Sequence, residues 1–402
     1  MKIDCRAGFA AQLVVRAKPQ NCMTDETVVP PEPAPMPDAT AQASPAGEQQ
    51  TEINAPPVIP AAHGEPESFT FEFHGEPREY FRIWIVNTLL TILSCGIFSA
   101  WAKVRKRRYL RGNTSLMGHR FDYRADPWRL LMGQIVVVTL FGAYGVFGQV
   151  YPAVAVAALL IGLVMLPWIV VRSLAFNAHN TTYRGLRFNF RQTYLSAAVL
   201  YYGQFLLVIL SFGLLYPGWL RKHRTFVIGN HRLGDAFFRL DAPVGQFYAA
   251  HIMGAGILVP AALLAGLIAA GVAANARGHT PDLMDLAPTL VVYGLGFFIA
   301  KHIVFARLFN HVWNHTKLDD HRFHSDLTTD AWVKLQLVNL VAMIGSAGLL
   351  YPWAQVRSMR LALSHLHFRP SGSLDKIERM GRAQGSALGE TAGEFVGLDF
   401  GL

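Results

Sequence analysis

The string Gly-Leu-Leu-Tyr-Pro occurs at Gly213–Pro217 and again at Gly348–Pro352, and a third version, Gly96-Ile-Phe-Ser-Ala100, stands earlier in the chain. Each copy ends an apolar stretch and is followed by a tryptophan and basic residues. The spacings are 213 − 96 = 117 and 348 − 213 = 135. A recurrence of this kind governs how every other motif is read. Nine positions before each glycine stands an amide: Asn87, Gln204 and Asn339. The first spacing maps Phe71 onto Phe188, Phe73 onto Phe190, Gly112-Asn113 onto Gly229-Asn230 and Phe121 onto Phe238. The second maps Arg172 onto Arg307 and Arg187-Phe188 onto Arg322-Phe323. The two differ by 135 − 117 = 18 residues, so one insertion lies between Phe238 and Arg307. The expected organisation is a module used about two and a half times. It occupies residues 68–185, 186–320 and, as a half module, 321–370, between tails at 1–67 and 371–402.

Only 16% of the 402 residues are charged, whereas 52% are hydrophobic. Soluble domains carry about a quarter charged residues. From Leu130 to Val171 there is no Asp, Glu, Lys or Arg. That length accommodates two spans of ~20 residues, with a bend at Gln149-Val150-Tyr151-Pro152. Gln246–Ala276 and Ala287–Ala300 form a second pair. Three further apolar segments, Ile83–Trp101, Tyr194–Trp219 and Leu335–Trp353, contain the recurring glycines. The expected fold class is an all-α polytopic membrane protein with internal tandem repeats. It would have short β-strands in cytoplasmic loops, three glycine-broken apolar segments and two transmembrane hairpins.

The net charge of +9 is unevenly placed. Lys103, Arg105, Lys106, Arg107, Arg108 and Arg111 follow the first apolar segment, Arg221, Lys222 and Arg224 another, and Arg357 and Arg360 the last. The positive-inside rule assigns these loops and both termini to the cytoplasm. If each glycine segment crossed once, Arg221–Arg239 would lie outside, against the rule. Two arrangements avoid the conflict. Either the glycine segments re-enter as hairpins, or each module spans three times and successive copies are inverted, a transporter architecture. Gly96, Gly213, Gly348, Pro217 and Pro352 mark the helix break in both. Alternating pieces such as Phe69-Thr-Phe71-Glu-Phe73, Arg187-Phe188-Asn189-Phe190 and Arg322-Phe323-His324 read as strands. They would form a small surface sheet or interfacial loops.

The first twenty residues carry Lys2, Asp4, Arg6, Arg16 and Lys18 and have no apolar core, so no signal peptide is expected. The stretch from Thr24 to Ser68 is rich in Pro, Ala and Glu and reads as a disordered acidic linker. Cys5, Cys22 and Cys95 show no pairing or metal spacing.

These residues also carry a resemblance. Glu79–Asn87, Gly96–Arg108, Gly112-Asn113-Thr114 and Gly118–Arg124, with the tail Gly389–Leu402, make the chain similar to the YjgN-like family of bacterial inner-membrane proteins, a domain of unknown function (898). The resemblance runs from about Ser68 to the C-terminus. It implies a multi-pass inner-membrane location and no chemistry, and it assigns no residue a role.

Candidate functional residues come from the pattern. Asn87, Gln204 and Asn339 are polar groups in apolar segments, where an unpaired amide is costly. They read either as interhelical hydrogen bonds or as a ring around a solute. Trp101, Trp219 and Trp353, with Lys103, Arg105, Arg107, Arg108, Lys222 and Arg357, match an aromatic belt with basic anchors suited to anionic lipid. Glycines such as Gly142, Gly145 and Gly254 read as helix-packing positions. His311 and His315 have the i, i+4 spacing of a metal pair. The corresponding positions one module earlier are Phe176 and Asn180, so no metal or cofactor is expected. Phosphate-loop, nucleophile-elbow and His-Glu-x-x-His patterns are absent, and no enzyme activity is expected. Nucleic acid is not an expected partner; the phospholipid membrane is. The leading functional expectation is a transporter or conduit for a small solute, with an anion as one candidate. The alternative is a non-transporting organiser that binds anionic headgroups or a protein partner.

Overall fold

The computed structural model describes residues 68–372 apart from 148, 149, 192 and 277–281. The N-terminal tail, all but two residues of the C-terminal tail, and part of the insertion therefore lie outside the described residues. Within them, helical hairpins alternate with pairs of short strands. The helices are α1 (Pro77–Leu93), α2 (Ser99–Gly112), α3 (Pro127–Phe147), α4 (Pro152–His179), α5 (Tyr194–Leu210) and α6 (Tyr216–Gly229). After them come α7 (Gly245–Asn275), α8 (Leu283–Asn314), α9 (Thr329–Gly345) and α10 (Tyr351–Ser364). Helix α5 contains a π-helical turn at Val199–Gln204. A widened turn leaves a carbonyl unspent, and Trp219 Nε1 donates to Leu200 O at 3.1 Å.

An asparagine stops three of the helices that lead into strands. Asn113, Asn180 and Asn230 each donate through Nδ2 to the carbonyl four residues back, on Tyr109, Phe176 and Phe226. This satisfies a carbonyl that the helix end would orphan. A strand then starts at the next residue.

The strands are β1 (Phe69–Thr70), β2 (Glu72–Phe73), β3 (Thr114–Leu116), β4 (His119–Tyr123), β5 (Thr181–Tyr183) and β6 (Leu186–Phe190). They continue as β7 (His231–Leu233), β8 (Ala236–Leu240), β9 (Thr316–Leu318), β10 (His321–Ser325) and β11 (Leu366–Arg369). All pairings are antiparallel, and they join into one 11-stranded sheet running from β1 through β11, β10 and down to β2. Its two ends are the same piece of chain. Phe69 pairs with Phe368, Phe73 pairs with Thr114, and Phe71 between them donates its N–H to Leu366 O at 3.0 Å. The sheet thus closes on itself and leaves no free edge.

This overturns the all-α expectation with strands confined to loops. The strands were legible one by one. Their union was not, because β4 pairs with β5 and β8 with β9 across whole helical hairpins. Inverted copies are likewise ruled out as the architecture of these hairpins: every one leaves the same sheet and returns to it.

Alternate residues point inward. Phe71, Phe121, Phe188, Phe238 and Phe323 form a closed ring, each centroid 6.2–6.4 Å from the next. Neighbouring rings are inclined by only 15–28°. Five rings set radially or tangentially about an axis would differ by a fifth of a full turn. These therefore lie close to perpendicular to the axis, like the blades of an iris. Leu116, Tyr183, Leu233, Leu318 and Phe368 pack against them. Tyr183 donates to Leu116 O at 2.8 Å, and burial pushes its hydroxyl up to about 12, so it stays a donor at neutral pH. As in other small closed sheets, the interior is a packed core.

The helices form a second ring above this collar. Each packs on its neighbours in chain order, and α10 closes on α1. Helices α3, α4, α7 and α8 are long and apolar enough to cross a membrane. The pair α7–α8 is tightest where a Cβ on Gly254 would meet Val304 at 2.6 Å and one on Gly296 would meet Ala261 at 2.2 Å. Gly142 and Gly145 face open space, so the packing reading fails for them.

Candidate functional site

The three glycine segments fold into hairpins of the same design. In each, a serine ends the first helix and two left-handed residues follow: Ser94-Cys95-Gly96, Ser211-Phe212-Gly213 and Ser346-Ala347-Gly348. The glycines sit at φ +93, +86 and +85°, where a side chain is strained. The residue before each is also left-handed, at φ 49, 52 and 49°.

The consequence is a turn with no spare donor. In the second copy Ser211, Phe212 and Gly213 give their N–H groups to Leu207, Ile209 and Val208. Leu214 and Tyr216 give theirs to Ser211 O and Gly213 O. Leu215 donates to Ser211 Oγ at 3.1 Å, and that hydroxyl donates onward to Val208 O. Phe98 N to Ser94 Oγ at 2.8 Å and Leu350 N to Ser346 Oγ at 3.0 Å repeat the key bond. Pro217 and Pro352 are buried at the start of the second helix, where a missing N–H costs nothing.

The side chains of these turns face outward and are apolar. Phe212 is 97% exposed and Leu214 76%. A satisfied backbone dressed in exposed apolar side chains suits hydrocarbon, which tolerates no unpaired amide. Depth follows from the charges. Beyond Arg82, α1 runs 93 − 82 = 11 residues to its end, and beyond Lys334, α9 runs 345 − 334 = 11. Each is roughly 16 Å at 1.5 Å per residue, about half a bilayer core. In α3 the uncharged run is 147 − 129 = 18 residues, roughly 27 Å, close to a full core. Ser211→Ala is expected to leave the Leu215 N–H unpaired in an apolar setting, at about 1–3 kcal/mol. A lower unfolding temperature in lipid nanodiscs, restored by Ser211→Thr, is the readout.

Basic residues band the sheet-proximal half of the short hairpins. Lys103, Arg105, Arg108 and Lys222 are exposed. Arg105 lies over the Phe98 ring at 5.6 Å and Arg357 over Trp353 at 4.3 Å. Trp101 meets Trp128 edge-on at 5.1 Å, and Trp219 stacks on His223. Arg107 turns inward instead, donating to Tyr123 Oη at 3.2 Å and to Asn177.

The three amides are not brought together by any contact among the described residues. Asn339, 1% exposed, donates to Ser358 Oγ at 3.1 Å and so bonds α9 to α10 within its own hairpin. Gln336, one turn before it, donates to the same hydroxyl at 3.0 Å. The carbonyl oxygens of Asn87, Gln204 and Asn339 are nevertheless buried without partners. His311 and His315 bond the carbonyls of Pro243 and His311. No cluster of three or more His, Cys, Asp or Glu among the described residues is placed to hold a metal ion.

The Ser-x-Gly recurrence escaped sequence reading, although the serine stands two residues before each glycine.

The family model described as a bacterial protein of unknown function (DUF898) matches residues 68–395. The inner membrane protein YjgN of Escherichia coli (strain K12) is 34% identical over 129 residues, 31% of this chain and 31% of that protein. Its counterpart in Escherichia coli O157:H7 is 33% identical over 124 residues, again 31% of each chain. In these two matches the chain spans under a third of the relative's length. The Salmonella typhimurium (strain LT2) protein of the same name is 22% identical over 359 residues, 77% of this chain and 90% of its own. No solved structure matches.

Proposed function

This chain belongs to the DUF898 family of bacterial proteins, and from that premise we propose that it is an inner-membrane scaffold that engages anionic lipid headgroups. The closed sheet is its cytoplasmic collar, two hairpins cross the bilayer, and three enter the near leaflet and return. The observation that carries the reading is the set of self-satisfied turns, which all three hairpins share, with apolar runs of half-bilayer depth in α1 and α9. The cytoplasmic placement rests on charge: Arg277 is the single Lys or Arg in the far turns, whereas the sheet-side segments are rich in both. A transmembrane path along the collar axis is disfavoured by the packed aromatic interior.

Neutralising the exposed band tests this. The triple variant Lys103→Gln, Arg105→Gln, Arg108→Gln is expected to lose most of the preference for phosphatidylglycerol over phosphatidylcholine when lipid co-purified from mixed vesicles is quantified. Each basic residue near an anionic surface contributes about 1 kcal/mol, so three give roughly a hundredfold. An unchanged lipid ratio counts against the scaffold.

The conduit remains a second reading, and the orphaned oxygens of Asn87, Gln204 and Asn339 favour it. Asn87→Leu separates the two. A scaffold gains or keeps stability when a buried unpaired oxygen is removed. A conduit loses flux of a small anion, measured as chloride efflux from proteoliposomes.

A further inference from the structure

A cavity of about 590 Å³ opens on the outer face of the sheet, where the β3–β4 and β5–β6 hairpins meet the feet of α3 and α4. Five guanidinium groups line it, from Arg120, Arg124, Arg129, Arg184 and Arg187. Two carboxylates oppose them, Asp122 and Asp126, leaving an excess of 5 − 2 = 3 positive charges. Both carboxylates are already engaged. Asp122 pairs with Arg124, and that hydrogen bond holds its carboxyl below the usual range against the opposing effect of burial. Asp126 accepts the Trp128 N–H at 3.0 Å and so starts α3. Arg187 lies 3.1 Å from His179 Nε2. The side chains of Arg120 and Arg129 make no hydrogen bond or ion pair among the described residues.

Converging cations raise each other's energy unless an anion lies between them. Guanidinium is the group whose fork matches phosphate oxygens two at a time. The strand position of Arg120 is filled by Arg187 and Arg322, but by Phe237 in β8 and Thr70 in β1. The level of the cluster is that of the headgroups: Trp128, 58% exposed, stands beside Arg129 at the start of a helix long enough to span.

We infer that this cavity binds a phosphate-bearing anion, held between Arg120 and Arg129 with Arg187 at the third side. The scaffold reading bears only on where that phosphate comes from, a lipid headgroup or a soluble compound.

The test uses the full chain with two probes. One is phosphatidylglycerol retained through delipidation in neutral detergent, quantified by mass spectrometry. The other is inorganic phosphate titrated calorimetrically into the delipidated protein. The double variant Arg120→Gln, Arg129→Gln is expected to reduce binding about tenfold or more, whereas Arg239→Gln, on β8, leaves it unchanged. Arg129→Lys keeps the charge without the fork and is expected to fall between. Loss confined to phosphatidylglycerol assigns a lipid, and loss with inorganic phosphate as well assigns a soluble phosphate site. The Lys103, Arg105, Arg108 triple variant should retain this site even if it loses general lipid preference, so the two proposals fail separately. Equal binding of both probes by wild type and the Arg120, Arg129 double variant overturns the inference.

Discussion

Replacing Phe323 with alanine is expected to destabilise the collar by about 3–5 kcal/mol, a large fraction of a typical folding free energy. The ring of Phe323 lies 6.4 Å from Phe71, 6.2 Å from Phe238, and 5.2 Å from both Phe368 and Trp313. Phe71 lies on the segment that closes the sheet and Phe368 on the last strand. Truncation therefore opens a void at the seam where first and last strands meet. The surrounding rings are fixed by strand register and cannot collapse into it, which places the cost at the high end. Phe237, the neighbour of Phe238 on β8, is 46% exposed and points outward. Phe237→Ala is expected to cost within about 1 kcal/mol, the loss of its contact with the Arg232 guanidinium. Trypsin resistance of the sheet and thermal unfolding in nanodiscs measure both. Similar values for the two variants would mean that the interior is not a packed ring.

The second large effect is at a turn. Phe212→Asp is expected to cost about 2.5–3.5 kcal/mol in a bilayer, the penalty for a carboxylate deep in a membrane. The backbone does not confound this change. Phe212 sits at φ 52°, a conformation that Asp adopts more readily than Phe. Nor does packing, since the side chain touches little of its own chain at 97% exposure. In water the same substitution is neutral or favourable. The sign of the change in nanodiscs, compared with Phe237→Asp on the outer face of the sheet, therefore reports which solvent surrounds the turn. A stability gain at position 212 would place the turn in water.

Much of this was legible in the chain. The two spacings sort the five ring phenylalanines into two sets of equivalents, Phe71, Phe188 and Phe323 in one and Phe121 and Phe238 in the other. Their equivalence was readable, but their meeting was not. Ring closure depends on pairing between hairpins separated by up to a whole transmembrane pair, and alternation in a three-residue strand carries no information about its partner. The turns were half read. Glycine and proline announced a break, whereas the serine that caps the following helix looks like any polar residue at the end of an apolar run. The amides were legible as a set, though not their surroundings. Equal spacing from the glycines suggested one common site, yet each amide sits at the same height in a different hairpin, and Asn339 spends its donors on its own partner helix. The convergence of the cavity's arginines was not legible, because it is created by β4 pairing with β5.

Half-depth insertion is the central claim, and Cys95 is a natural probe of it. It is exposed at the first turn and is the one free cysteine among the described residues. With Cys5 and Cys22 replaced by serine, a membrane-impermeant maleimide would be applied to intact cells and to inverted membrane vesicles. A membrane-impermeant reagent reaches a thiol only through water, so hydrocarbon around the turn blocks access. The expected result is no labelling from either side and full labelling after detergent solubilisation. Labelling of Cys95 on intact cells would mean that the segment crosses the bilayer, and the re-entrant hairpins would be wrong.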